Sequence, residues 1–180
     1  LKRIQAQQKM DELQRRAEQL AEQQRQLEQQ TQNTNPNDKA AREQLARQQE
    51  QLQRQMERLQ EEFRSLEQLS QDAKLDQRKN VQDQLRQAAE QLQQEQSERS
   101  MEQSEQSLQQ GDFDRARQHM QRSAERMQRF AQALQRAKQE MRKNEMRQIA
   151  RQMQQALQDL AELSKDQEQL ANETQRLDPN

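Results

Sequence analysis

Residues 45–73 read LARQQEQ LQRQMER LQEEFRS LEQLSQD A, and broken into sevens they place Leu45, Leu52, Leu59, Leu66 and Ala73 at one heptad position and Met56 and Phe63 at the other. Apolar residues alternating at spacings of three and four, with charged and amide side chains between them, line one stripe of an α-helix. A strand would need an alternation of period two, which is absent. The heptad predicts a helix over 38–75, roughly 55 Å long at 1.5 Å per residue.

The same pattern extends in both directions. Ala6, Leu13, Leu20 and Leu27 recur every seven residues, with Met10 and Ala17 in the companion positions, predicting a first helix over 2–33. Asn33-Thr34-Asn35-Pro36-Asn37-Asp38 ends it, because proline disfavours helix in the residue before it and Asn or Asp caps the next helix. The polar run Asp76–Asn80 interrupts the seam, and Val81, Leu85, Ala88 and Leu92 open a third helix over 80–110, with Asn80 and Asp83 as candidate caps. Within it the seam turns to serine at 97, 100, 104 and 107, flanked by Met101 and Leu108, a face that allows close approach of a neighbour. Gly111 and Asp112 read as a stop and a restart. Phe113, Met120, Met127, Leu134 and Met141 then alternate with Ala116, Ser123, Phe130 and Ala137 in a fourth helix over 112–143. From Met146 the seam restarts two residues out of phase, through Ile149, Met153, Ala156, Leu160, Leu163, Gln167, Leu170, Thr174 and Leu177. This slip is neither the three-residue nor the four-residue insertion that coiled coils absorb, so a turn or kink is expected near Lys143-Asn144, with a fifth helix over 144–177.

The expected fold is therefore all-α: an elongated antiparallel bundle or coiled coil of about five long helices, one helical region over 1–180. Composition agrees. Only 28% of the chain is hydrophobic, 34% is charged, glutamine makes up about a quarter, and one glycine and two prolines are present. Without cysteine there is no disulfide or thiolate metal site. No apolar run is long enough to span a membrane, and the opening residue, Leu1, suggests a piece of a longer chain.

An internal echo appears at a shift of 143 residues. Met10 falls on Met153, Leu20 on Leu163, Leu27 on Leu170, and Pro36-Asn37 on Pro179-Asn180. Gln24 and Thr31 fall on Gln167 and Thr174, all four at core positions where a polar residue sets register at some cost in stability.

Chemistry is sparse. Catalysis needs a nucleophile or a tuned acid and base held in a dry pocket, and no such set is legible, so the reading is a non-enzyme without catalytic, cofactor or metal residues. His119, the single histidine, reads as a solvated helix-surface residue, with no cysteine or second histidine to complete a metal site. The pairs Asp11/Arg15, Glu12/Arg16, Asp38/Arg42, Glu43/Arg47, Glu50/Arg54 and Glu125/Arg129 stand at i,i+4, as on a solvated helix face. Arg115, Arg122, Arg129, Arg136 and Lys143 form a basic stripe of period seven, suited to a partner or a polyanion such as nucleic acid or anionic lipid. Acidic flanks at Glu95–Glu105 and Asp159–Glu168, and the absence of tyrosine and tryptophan for base stacking, favour internal neutralisation over nucleic-acid binding. The methionines at 120, 127, 141, 146 and 153 read first as seam packing and otherwise as an adaptable surface.

The segment Leu108–Arg117 (LQQGDFDRAR), then Met146-Arg147-Gln148-Ile149 and Leu163–Glu168 (LSKDQE), set among glutamine- and methionine-rich helices, resemble a group of large membrane-anchored bacterial proteins that carry a domain of unknown function. The resemblance covers residues 97–177. It implies an envelope protein whose helical region lies outside the inner membrane, in the periplasm, and it brings no catalytic residues; the residues alone leave the compartment open, the cytoplasm included. The functional expectation is a non-catalytic scaffold or protein–protein interaction segment, engaging protein partners or itself through its seams, with no membrane insertion and no cofactor. A holdase-like chaperone and a polyanion-binding helix are the alternatives.

Overall fold

The computed structural model describes residues 2–74, 79–92 and 94–177, and the side chains among them except those of 94–98, 171 and 173–177. It is all-α, with no strand among the described residues: α1 (Lys2–Gln32), α2 (Lys39–Asp72), α3 (Lys79–Gln91), α4 (Gln94–Gln110) and α5 (Phe113–Leu177). The chain divides into two compact units, Leu1–Glu140 and Met141–Asn180, where the sequence reading has one region.

Unit 1 is an up-down-up-down four-helix bundle whose third rung is α3 followed by α4. Its polar contacts fix the topology. Lys2 pairs with Asp72 and Gln24 with Gln49, so α1 and α2 run antiparallel. Gln60 reaches Leu92 while Arg42 reaches Gln109, which sets α2 antiparallel to the third rung. Asn80 meets Glu140 and Ser104 meets Ala116, closing the third rung on α5. Arg25 bonds Gln128, and Lys138 pairs with Asp11, which returns α5 alongside α1. The diagonal is bridged in the core by an edge-to-face contact of Phe63 and Phe130, with ring centroids 5.3 Å apart.

The heptads supply this core directly. Leu13, Met56, Leu59, Leu66, Met120, Met127 and Leu134 are buried, as are Met101 and Leu108 of α4. Ser100, Ser104 and Ser107 are buried beside them. Ser104 Oγ donates to Ala116 O over 3.4 Å, so a small hydroxyl side chain both admits α5 and bonds its backbone. Ser97 lies outside the described side chains.

Helix ends follow local chemistry. Asp38 accepts from Ala41 N and caps α2. Gly111, at φ +78°, closes α4: its N–H donates to Leu108 O and that of Asp112 to Ser107 O, the paired bonds of a Schellman motif. Asp112 then accepts from Arg115 N and starts α5.

The helix boundaries differ from expectation in two places. The third helix is not continuous over 80–110. α3 ends at Gln91, and the Leu92 carbonyl accepts from the Gln60 side chain at 3.5 Å, so α2 satisfies an acceptor that a continuing helix would have used. Asn80, expected as a cap, lies within α3 and donates instead to Glu140 at 3.3 Å; the expected polar break at 76–80 falls largely on 75–78, outside the described residues. The second difference is at Lys143-Asn144, where α5 runs unbroken from Phe113 to Leu177. No glycine or proline stands there, so the phase slip interrupts the seam without interrupting the backbone hydrogen bonds. Unit 2 by itself is the remainder of α5.

Candidate interaction site on helix α5

The unit 2 stretch of α5 carries seven large apolar side chains in solvent: Met146, Ile149, Met153, Leu157, Leu160, Leu163 and Leu170, with exposures from 52% at Ile149 to 69% at Met146. All but Leu157 keep the spacing of a seam, and Leu157 sits beside it. Burying a Leu, Ile or Met side chain is worth about 1.5–3 kcal/mol, so this face carries a large unspent driving force for association. Periodicity found these residues, but periodicity records only that a stripe exists, not whether the chain supplies the helix that covers it.

The echo gives the stripe a counterpart. At the shift of 143, α1's buried Ala6, Met10, Leu13 and Ala17 fall on Ile149, Met153, Ala156 and Leu160. Its buried Leu20, Ala21, Gln24 and Leu27 fall on Leu163, Ser164, Gln167 and Leu170. One copy of the pattern is a bundle core and the other faces solvent.

The polar core positions separate in the same way. Gln24 is buried and its Nε2 donates to Gln49 Oε1 at 2.8 Å, tying α1 to α2. Thr31 is buried too, but its hydroxyl donates to Leu27 O of its own helix, with Met120 Sδ at 3.9 Å. Gln167 is exposed, and Thr174 lies outside the described side chains. Gln49 was not among the expected residues. Its signal was present, since stepping back by sevens from Phe63 and Met56 lands on it.

The basic stripe is exposed along its whole length, from Arg115 through Arg122, Arg129 and Arg136 to Lys143. Arg115 pairs with Asp112 and Arg129 with Glu125, both on or next to the same helix. Among the described residues Arg122 and Arg136 reach no carboxylate, and no described ion pair joins the stripe to α4. The downstream acids Asp159–Glu168 belong to unit 2. Of the acids expected to neutralise the stripe, Glu95 and Glu98 lie outside the described side chains. Of the expected i,i+4 pairs, Glu12–Arg16, Glu50–Arg54 and Glu125–Arg129 form. Asp11 turns instead to Lys138, Asp38 caps α2, and Glu43 pairs with Lys39.

The pKa values of Glu105 and His119 are perturbed. Burial, then the neighbouring Glu50 and Glu102 carboxylates, raise the Glu105 pKa. It stands in a groove of about 380 Å³ between α2 and α4, with Arg42, Arg47 and Glu50. His119 is half-buried rather than solvated; burial, then Arg122 and Arg115, lower its pKa, and its Nδ1 is buried with no hydrogen-bond partner. No metal-binding group of three or more His, Cys, Asp or Glu side chains occurs among the described residues, and no described helix is long and apolar enough to cross a membrane. No protein family, curated protein or solved structure matches this chain.

Proposed function

We propose that this chain is a non-catalytic interaction and scaffold segment of a larger bacterial envelope protein, in which unit 1 is a self-contained bundle and the face at 146–170 receives a helical protein partner. The exposed apolar stripe of α5 carries the interaction reading. Bundle helices with such a stripe hide it against other helices, as α1 does in unit 1. The envelope placement is supported by the resemblance over residues 97–177.

A photo-crosslinking side chain placed at Leu160 tests the interaction. In the cell of origin it should yield a discrete adduct with a helical protein segment, while the same group at Gln158, off the stripe, should yield none. Equal labelling from both positions overturns the reading.

A second reading, polyanion binding, is favoured by one observation, the exposure of all five residues of the basic stripe. It predicts salt-sensitive retention on heparin that falls when Arg122, Arg129 and Arg136 become Gln. Retention unchanged by those substitutions discards it.

A further inference from the structure

We infer that residues 144–177 are a second α1, and that their exposed face is covered by an α2-type helix from another repeat of this bundle, one carrying Lys or Arg where α2 carries Glu62 and Asp72. The inference rests on reading this face as an interaction surface and names what it receives.

The correspondence with α1 goes beyond a generic heptad. Every buried position of α1 falls on an apolar or small residue, or on the same polar residue, and the interruptions at Gln24 and Thr31 recur as Gln167 and Thr174. Leu157 and Ser164 widen the stripe beyond a two-stranded seam. A stripe of that width suits a helix set between two neighbours, as α1 is set between α2 and α5.

The flank then discriminates among partners. α1 meets α2 through Lys2–Asp72 at 3.0 Å, Lys9–Glu62 at 3.6 Å and an Arg16–Glu62 ion pair. At the same shift Lys2 becomes Glu145, Lys9 becomes Gln152 and Arg16 becomes Asp159. The α2 of a second copy would therefore set Asp72 against Glu145 and Glu62 against Asp159, like charge on like. Antiparallel pairing of this segment with itself would bring the acids Glu145, Asp159 and Asp166, all on one flank, against their own kind. The helix that fits has α2's seam, a glutamine facing Gln167 as Gln49 faces Gln24, and a basic flank.

The test extends the intact chain. Residues 38–140 are appended after Asn180, once with Glu62 and Asp72 native and once with E62K and D72K in the appended copy. The chain contains no cysteine, so Gln167→Cys and Gln49→Cys in the appended copy report whether the two positions meet. The disulfide should form in the charge-inverted chimera faster than in the native-flank one, by on the order of threefold for exposed ion pairs. Adding E145K and D159K to the native-flank chimera should restore the rate. A control chimera, with residues 1–34 in place of 144–177, shows that the appended sequence folds when given α1 itself. Equal rates in the two chimeras, or no disulfide in the inverted one while the control folds, overturns the inference. Adducts from Leu160 to a helix of other chemistry would remove this occupant and leave the interaction surface standing; loss of Leu160 adducts removes both.

Discussion

Gly111 and Lys74 both hold left-handed backbone just past a helix, at φ +78° and +55°. Only glycine adopts that region without a Cβ clash, so the two positions predict opposite responses. A Cβ at Gly111 would stand 3.2 Å from both Arg42 Nη1 and the Pro36 carbonyl oxygen. The arginine tip can move readily, whereas the carbonyl is backbone of the α1–α2 connection and shifts only with it. Gly111→Ala should therefore cost about 1–2 kcal/mol or more, read as a lower urea midpoint. Lys74→Gly should raise that midpoint by an amount equivalent to about 0.5–1 kcal/mol, the relieved clash less glycine's entropy. Glu105 makes a third residue-level prediction, this one dependent on pH. Its folded-state pKa lies above the ordinary carboxylate value, so the folded protein binds this proton more tightly than the unfolded one. That contribution is fully present below the ordinary value and is lost as pH rises through the raised one. Glu105→Gln keeps an acceptor for Gln109, which donates to Oε1 at 2.9 Å, and removes the charge beside Glu50. The variant should unfold at higher urea than the parent near neutral pH and at the same urea at about pH 3.5, where both side chains are neutral.

Between α1 and α2 the amide pair of Gln24 and Gln49 interrupts the buried apolar seam. Gln24 and Gln49 make one hydrogen bond, which leaves Gln24 Oε1 and Gln49 Nε2 buried without partners. Replacing one member strands the other, whereas replacing both removes every buried polar atom of the pair. Gln24→Leu and Gln49→Leu should each destabilise unit 1 by roughly 1–3 kcal/mol, and the double variant should match or exceed the parent. Their coupling, read from urea midpoints in a double-mutant cycle, should be strongly favourable to the double variant; additive losses would mean that the amides act separately. This pair also marks how far the sequence can be read at this scale. The Leu45–Ala73 heptad was enough for α2, the Asn33–Asp38 run for its start, and Gly111-Asp112 for the α4–α5 turn, because each depends on a few adjacent residues. The end of α3 at Gln91 was not legible, since the carbonyl of the next residue, Leu92, is satisfied by Gln60, 32 residues away from it in the chain. The turn expected at Lys143-Asn144 failed for the complementary reason. A shift in hydrophobic phase reports which residues seek cover, and says nothing about the backbone when no residue there breaks a helix. Of the candidate site, the stripes were legible as spacing, but exposure was not: Met10 and Met153 occupy the same place in the repeated pattern, yet Met10 is 1% exposed and Met153 62%.

For the whole molecule, the two units predict separable stability. The bundle's apolar contacts come from α1, α2, α3, α4 and the first part of α5, through the buried Ala137. The large apolar residues beyond it, from Met146 to Leu170, are exposed and so add little burial to the folded chain. Stability follows buried apolar area and packing rather than helix length. A chain ending at Lys143 should therefore unfold at the same urea midpoint as the full chain, with the same denaturant dependence for the cooperative transition. The helical circular dichroism lost on truncation should melt in the full chain as a broader, earlier phase, because an isolated helix of this length is marginal in water. Leu160→Asp should leave the cooperative transition unmoved, whereas Leu134→Asp, at a fully buried position of the same helix, should abolish it. If truncation at Lys143 lowered the midpoint of unit 1, residues 144–177 would belong to the bundle's own stability, and their apolar stripe would no longer be surplus to it.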